Sequence, residues 1–239
     1  MERRLSAVPR PVMAILALAL AAHLIVTDSS RAQRAGLENL PSAPNVLYLR
    51  TSSFGDPTPV AKLMMLYVQA FDLQAANPIP FREMDYDNLI TWLRVILLLD
   101  PAGQYPLFTA SRIYAIVPDQ VRSRKMLEFI YTEFFKDPNR RWPWLADAAV
   151  IAKHQLNDLP LAQRYAAAVQ EKTTSQDLPL WAKQMNAFIL EDMNELEQAR
   201  IMIGGYIASG QIKEPGELRL LEQRLQEIEA KARKKASRH

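Results

Sequence analysis

The sequence contains no cysteine, seven glycines and three histidines in 239 residues. Without cysteine there is no thiol nucleophile, no c-type haem attachment and no thiolate metal site, and so few histidines leave little for imidazole-based chemistry. The scarcity of glycine, against 16 prolines, disfavours a turn-rich β-barrel and suits helices whose ends are punctuated by proline. With 49% apolar and 23% charged residues, the chain can bury a sizeable core as one or two domains and is neither disordered nor built on disulfides. The expected class is all-α.

The formal charge of +3 conceals an uneven distribution. Residues 1–32 hold four basic and two acidic side chains, and the last nine hold five basic ones, Lys231, Arg233, Lys234, Lys235 and Arg238, with no acid. The intervening residues 33–230 carry 20 basic and 24 acidic groups, a net of −4. A nucleic-acid partner is therefore not expected, because that would need a basic face on the folded part. The tail 231–239 is expected to be a frayed, solubilising terminus, with contact to anionic lipid as the alternative.

Arg3, Arg4 and Arg10 precede a stretch from Pro11 to Val26 that is apolar except for His23. This is the layout of a secretory signal or a signal anchor. At ~1.5 Å per residue, this segment spans about 24 Å as a helix, less than a ~30 Å hydrocarbon core but tolerable with bilayer thinning. Ser30 and Ala32 stand three and one residues before a possible signal-peptidase cut. The leading expectation is a retained, single-pass anchor in a bacterial inner membrane, with residues 1–26 as the anchor and the membrane contacted through residues 11–26. The arginines place the N-terminus in the cytoplasm and the body in the periplasm. Cleavage near Ala32 and release into the periplasm is the alternative. Residues 27–48, polar and proline-broken, read as a tether, and Val46–Leu49 as a short extended lead-in to a folded domain at 49–230.

The most informative pattern is a spacing of 37 residues. Asp100-Pro101 recurs as Asp137-Pro138, Tyr105-Pro106 as Trp142-Pro143, and Trp144 as Trp181. The segment Asn157-Asp158-Leu159-Pro160-Leu161-Ala162 recurs as Asn194-Glu195-Leu196-Glu197-Gln198-Ala199. Each feature suits a pair of antiparallel helices. Asp-Pro ends a helix, because the residue before proline is pushed out of the α region. Aromatic-Pro places proline in a first turn, where its missing N–H costs nothing. Asn followed by an acid makes a turn and an N-cap, leaving Leu159, Leu196, Ala162 and Ala199 as inward packing positions. Apolar residues at Leu89, Trp92, Leu93 and Ile96, and at Leu127, Ile130, Tyr131 and Phe134, follow the helical period. The periodicity predicts helices near 57–73, 85–99, 105–116, 119–135, 142–156, 160–171, 178–192, 195–208 and 215–232. Such pairs cannot bury their apolar faces alone and are expected to stack into a curved array.

The Asn157–Ala162 and Asn194–Ala199 segments resemble the turn and second-helix start of tetratricopeptide repeats. The turn glycine of that family is replaced here by Asn157 and Asn194, and its second-helix aromatic by Ala166 and Ile203. Leu49-Arg50-Thr51-Ser52-Ser53-Phe54-Gly55-Asp56, then Val60-Ala61 and Leu99-Asp100-Pro101, are similar to membrane-tethered, tetratricopeptide-like proteins of bacteria. Together these resemblances cover about residues 49–210. They imply a right-handed α-solenoid of helix pairs that binds protein segments, and no catalytic residue.

The densest basic and aromatic cluster is Arg140, Arg141, Trp142 and Trp144, the candidate binding residues, which can hold a phosphate, sugar or carboxylate by charge and stacking. Because Trp144 recurs as Trp181, packing of the tryptophans in the hairpin core is the preferred reading. His154 followed by Asp158 lacks a converging nucleophile or second ligand. Glu191, Asp192, Glu195 and Glu197 read as solvated caps, and Glu128 and Glu133 as exposed residues of an amphipathic helix. The leading expectation is a non-enzymatic scaffold without cofactor or metal, binding an envelope or membrane protein in the concave groove. The alternative is an envelope enzyme or binding protein for a glycan or anionic small molecule, with Arg140, Arg141 and Glu128 in a pocket.

Overall fold

A computed structural model describes residues 11–21, 40–72, 84–175, 178–210, 212 and 214–236. Among these the chain is helical, with no strand. Helix α1 covers 11–21 and every residue in it is exposed. No helix among the described residues is long and apolar enough to cross a membrane; the rest of the apolar run, 22–26, the possible cleavage point at Ala32 and most of the tether lie outside the described residues.

Helix α2 spans Val46–Ser52, correcting the extended lead-in expected there. The Asn45 side chain caps it, accepting from Leu47 N–H at 2.8 Å, while Val46 and Leu49 pack against the core. Helices α3 (Thr58–Asp72) and α4 (Tyr86–Leu99) follow and pack together. Asp85 caps α4 through the N–H groups of Asp87 and Asn88. Its apolar stripe, Leu89, Trp92, Leu93 and Ile96, is buried. Helix α5 (Tyr105–Thr109) has Pro106 in its first turn, as the aromatic-Pro pattern predicts. The predicted helix over 105–116 then widens into a π-helical turn at Ala110–Tyr114, a form that periodicity does not signal. Asp119 caps α6 (Gln120–Phe134), which buries Leu127, Ile130 and Phe134.

Helix α7 runs over Pro138–His154 and begins four residues before the position predicted from Trp142-Pro143. Pro138 already occupies the first turn, so Pro143 lies within the helix. Asp137-Pro138 therefore starts a helix, whereas Asp100-Pro101 lies in a turn after α4, with Asp100 as its C-cap. Helices α8 (Leu159–Lys172), α9 (Leu180–Asp192), α10 (Leu196–Ala208) and α11 (Pro215–Ala236) complete the chain.

The recurring asparagines have a shared backbone cause. Asn157 and Asn194 adopt φ of 51° and 63°, the left-handed region that asparagine tolerates better than most residues with a side chain. Each residue reverses the chain between two packed helices, α7 with α8 and α9 with α10. Ala162 and Ala199 are then fully buried and Leu196 is buried, while Leu159 is partly buried against the core. Helices adjacent in sequence pack on one another from α6 to α11, and α4 also packs against α6. One apolar cluster extends from Leu40 to Ile189, and a smaller one joins α9, α10 and α11 through Ala187, Ile203, Leu221 and Ile228.

Two carboxylates expected in solvent are buried among cations, most of them on other helices. The Glu133 side chain is 1% exposed and meets Arg141 at 3.1 Å, Lys136 at 2.6 Å and Arg94 at 3.6 Å. Glu191, expected as a solvated cap, receives Arg224 and Lys231 of α11, each at 2.7 Å. Lys231 therefore belongs to a helix that continues to Ala236, correcting the expectation that fraying begins at 231.

Candidate functional site

The positions Tyr105, Trp142, Trp144 and Trp181 bring α5, α7 and α9 to one surface. A hollow of about 530 Å³ is lined by Phe108, Arg112, Trp142, Trp144, Asp147 and Trp181, with Pro143 among them. Trp144 and Trp181, one repeat interval apart, thus share a wall; Trp142 and Trp144 are also half-buried against the core, whereas Trp181 is largely exposed. Phe108 meets Trp144 edge-on at 5.7 Å between ring centroids and stacks on Tyr105 at 5.7 Å. Trp142 meets Trp181 edge-on at 5.8 Å. Such aromatic pairs hold their rings in fixed relative orientations.

The hollow has a polar border. Arg112 from the π turn forms a two-pronged pair with Asp147 of α7, with Nε to Oδ2 and Nη2 to Oδ1 both at 2.7 Å. Ser111 Oγ donates to Asp147 Oδ2 at 3.4 Å. Burial raises the Asp147 carboxyl above the usual aspartate range, against the opposing pull of Arg112. The turn that breaks the regular helix is also the one that supplies both partners of Asp147, consistent with the frequent occurrence of π turns at functional positions.

Two further hollows extend this surface. One of about 260 Å³ lies between α7 and α9, where Val150, His154, Trp181, Met185 and Phe188 form its wall. Trp181 belongs to both this hollow and the first and is 53% exposed. Another, of about 440 Å³, lies between α3 and the turn before α5, with Lys62, Met65, Leu66, Gln69 and Tyr105 in its lining. Gln104 lines that hollow and accepts from Trp144 Nε1 at 2.8 Å. A single hydrogen bond therefore links the two larger hollows.

The predicted binding cluster separates. Trp142 and Trp144 line the hollow, but Arg140 pairs with Asp137 at 3.0 Å and Arg141 is 2% exposed. Arg141 Nη1 donates to the Glu133 carbonyl at 2.7 Å, and Nη2 to the Pro101 carbonyl at 3.0 Å. Its guanidinium is a buried strut between α6, α7 and the turn after α4, with Nε left unpartnered inside the fold. Glu128 pairs with Arg164, whose guanidinium lies over Tyr131 and Tyr165. Arg140, Arg141 and Glu128 thus keep separate partners and do not converge on a cleft. Phe108, Arg112 and Asp147 were missed from the sequence, because nothing local signals that a π turn faces the middle of α7.

Asp158 has partners other than His154. Asp158 caps α8 through Leu161 N–H at 2.9 Å and binds Arg124 at 2.5 Å. These contacts, the Leu161 N–H first, hold its carboxyl below the usual range. Among the described residues, no three histidine, cysteine, aspartate or glutamate side chains are grouped to hold a metal ion. Comparison with protein-family models, curated proteins and solved structures finds no match, so the aromatic surface must be interpreted from its own geometry.

Proposed function

We propose that this chain is a non-enzymatic protein-interaction scaffold, tethered at the periplasmic face of a bacterial inner membrane. In this reading α3, α5, α7 and α9 are the first helices of successive pairs, α4, α6, α8 and α10 are the second, and α11 caps the array. The pairs form a right-handed, tetratricopeptide-like solenoid, and a segment of an envelope protein binds along the first helices. Left-handed Asn157 and Asn194 support the paired architecture, since they reverse the chain at the position where the family has glycine.

The observation that carries the proposal is the placement of Trp181, half in solvent and edge-on to Trp142, at the junction of two hollows. A large aromatic in a partly desolvated groove, surrounded by apolar walls, is the usual form of a binding hot spot. Segments that bind helical grooves do so through a few anchors of this kind. In-cell crosslinking followed by mass spectrometry should recover one dominant envelope partner. Recovery of none would count against the scaffold.

The tether follows from Arg3, Arg4 and Arg10 ahead of the apolar run. Carbonate washing of membranes tests it. The expected result is an unshortened chain retained in the pellet; a soluble chain beginning after Ala32 would replace the anchor with cleaved export.

A further inference from the structure

The end of the folded body nearest the tether carries apolar surface that the helix pairs do not use. Leu47 and Tyr48 on α2, and Phe54 in the turn after it, are 66%, 76% and 100% exposed. Phe54 has φ of 51° beside Gly55 at 99°, an uncommon backbone state for a bulky residue. A fully exposed phenyl ring in that state gives nothing to the core, and such outliers point to a use elsewhere. The segment is fixed in place: Val46 and Leu49 pack inward, and Arg50 donates to the Leu98 carbonyl at 2.8 Å.

The chain just before α2 is fixed as well. Leu40 is buried, and the Pro41 carbonyl accepts from Trp92 Nε1 at 2.7 Å and Asn88 Nδ2 at 3.0 Å. Only residues 27–39 separate this attachment from the end of the apolar run at Val26. Thirteen residues reach at most about 45 Å when fully extended. A membrane holding the N-terminal segment therefore lies within that distance of Leu40.

We propose that Leu47, Tyr48 and Phe54 form a membrane-contacting corner that rests in the headgroup region of the bilayer and docks the body against it. This inference depends on retention of the N-terminal anchor. Tyrosine favours the boundary between hydrocarbon and water, where its ring is partly buried and its hydroxyl stays wet, and leucine and phenylalanine insert their apolar side chains beside it. Arg50, Asp56 and Lys62 leave a net charge of only +1 around the corner, so apolar insertion drives the contact, with a small role for attraction to anionic lipid. Tethering makes the contact intramolecular, at millimolar effective concentration for a short connection. Three side chains then suffice where an untethered body would bind weakly.

The test uses the full chain reconstituted in vesicles of phosphatidylcholine, and separately of phosphatidylethanolamine with phosphatidylglycerol. The chain has no cysteine, so Ser52→Cys carries a single environment-sensitive dye near the corner, and Gln223→Cys carries one on α11. The dye at 52 should be quenched by lipids spin-labelled high on the acyl chain, in both compositions and at high salt, while the dye at 223 should not. Adding Tyr48→Asp with Phe54→Asp should reduce quenching at 52 to the level at 223 while the chain still floats with the vesicles. An unquenched dye at 52 on a chain that floats overturns the corner and leaves the anchor intact. A chain that does not float overturns both.

Discussion

Arg141 and Glu133 form an ion pair with almost no solvent around it: their side chains are 3% and 1% exposed and 3.1 Å apart. The same guanidinium holds the carbonyls of Glu133 and Pro101, so three separate segments depend on one side chain. Removing one partner of a buried pair leaves the other charge uncompensated, at a cost of about 3 to 5 kcal/mol. Arg141→Ala should lose stability towards the lower end of that range, since Lys136 and Arg94 still face Glu133. Arg141→Met combined with Glu133→Leu should lose less than Arg141→Ala. Denaturant unfolding of the three chains checks the order.

Asn157 and Asn194 should respond alike, because both occupy left-handed turns. Asn→Gly at either position should be nearly neutral. Asn→Val should cost about 1 to 2 kcal/mol, the penalty for forcing a branched side chain into that region. Unfolding midpoints of the four single variants measure this directly, and equal tolerance of glycine and valine would show that the turns do not need the left-handed state.

Ala162 and Ala199 are fully buried at equivalent positions of α8 and α10. Ala162→Trp should destabilise by about 1 to 3 kcal/mol or more through overpacking, and Ala199→Trp similarly. Exposed Glu171 on α8 should accept Glu171→Trp with little change in thermal midpoint.

Asp158 and Asp147 should titrate in opposite directions. Leu161 N–H and Arg124 depress Asp158, while burial raises Asp147. The depressed group contributes stability above the ordinary aspartate value of 3.8, and that contribution is lost as pH falls through the lower folded value. The raised group acts the other way: its contribution is present at low pH and is lost as pH rises through the higher folded value. Asp158→Asn keeps an N-cap but removes the charge, so its unfolding midpoint should fall below that of the unaltered chain at neutral pH and approach it on acidification. Carboxyl-carbon NMR titration should find Asp158 low and Asp147 high.

Much of the helical order was legible because local chemistry dictates it. The helices expected near 85–99 and 119–135 are α4 and α6, whose apolar stripes mark their inner faces, and Asn157 and Asn194 mark reversals. The errors arose where a local rule had two candidates or a partner lay far away. Pro138 took the first-turn position that Pro143 was expected to fill. Asn45 gave α2 a cap where Val46 and its neighbours suggested extension. Glu133 and Glu191 read as surface carboxylates because Arg141, Arg224 and Lys231 reach them only after folding. At the site, the tryptophans were visible as a repeat, but the π turn carrying Arg112 to Asp147 was not.

The most direct test of the groove is photocrosslinking in cells from a reactive residue at position 150, on α7 beside Trp181, with position 171 on α8 as the control. Position 150 should capture one dominant envelope protein and position 171 none. Trp181→Ala should abolish that capture without changing the amount or helicity of the chain, since a central aromatic anchor is worth about 2 kcal/mol or more. Equal capture from both positions, or capture unaffected by Trp181→Ala, would contradict binding along the first helices.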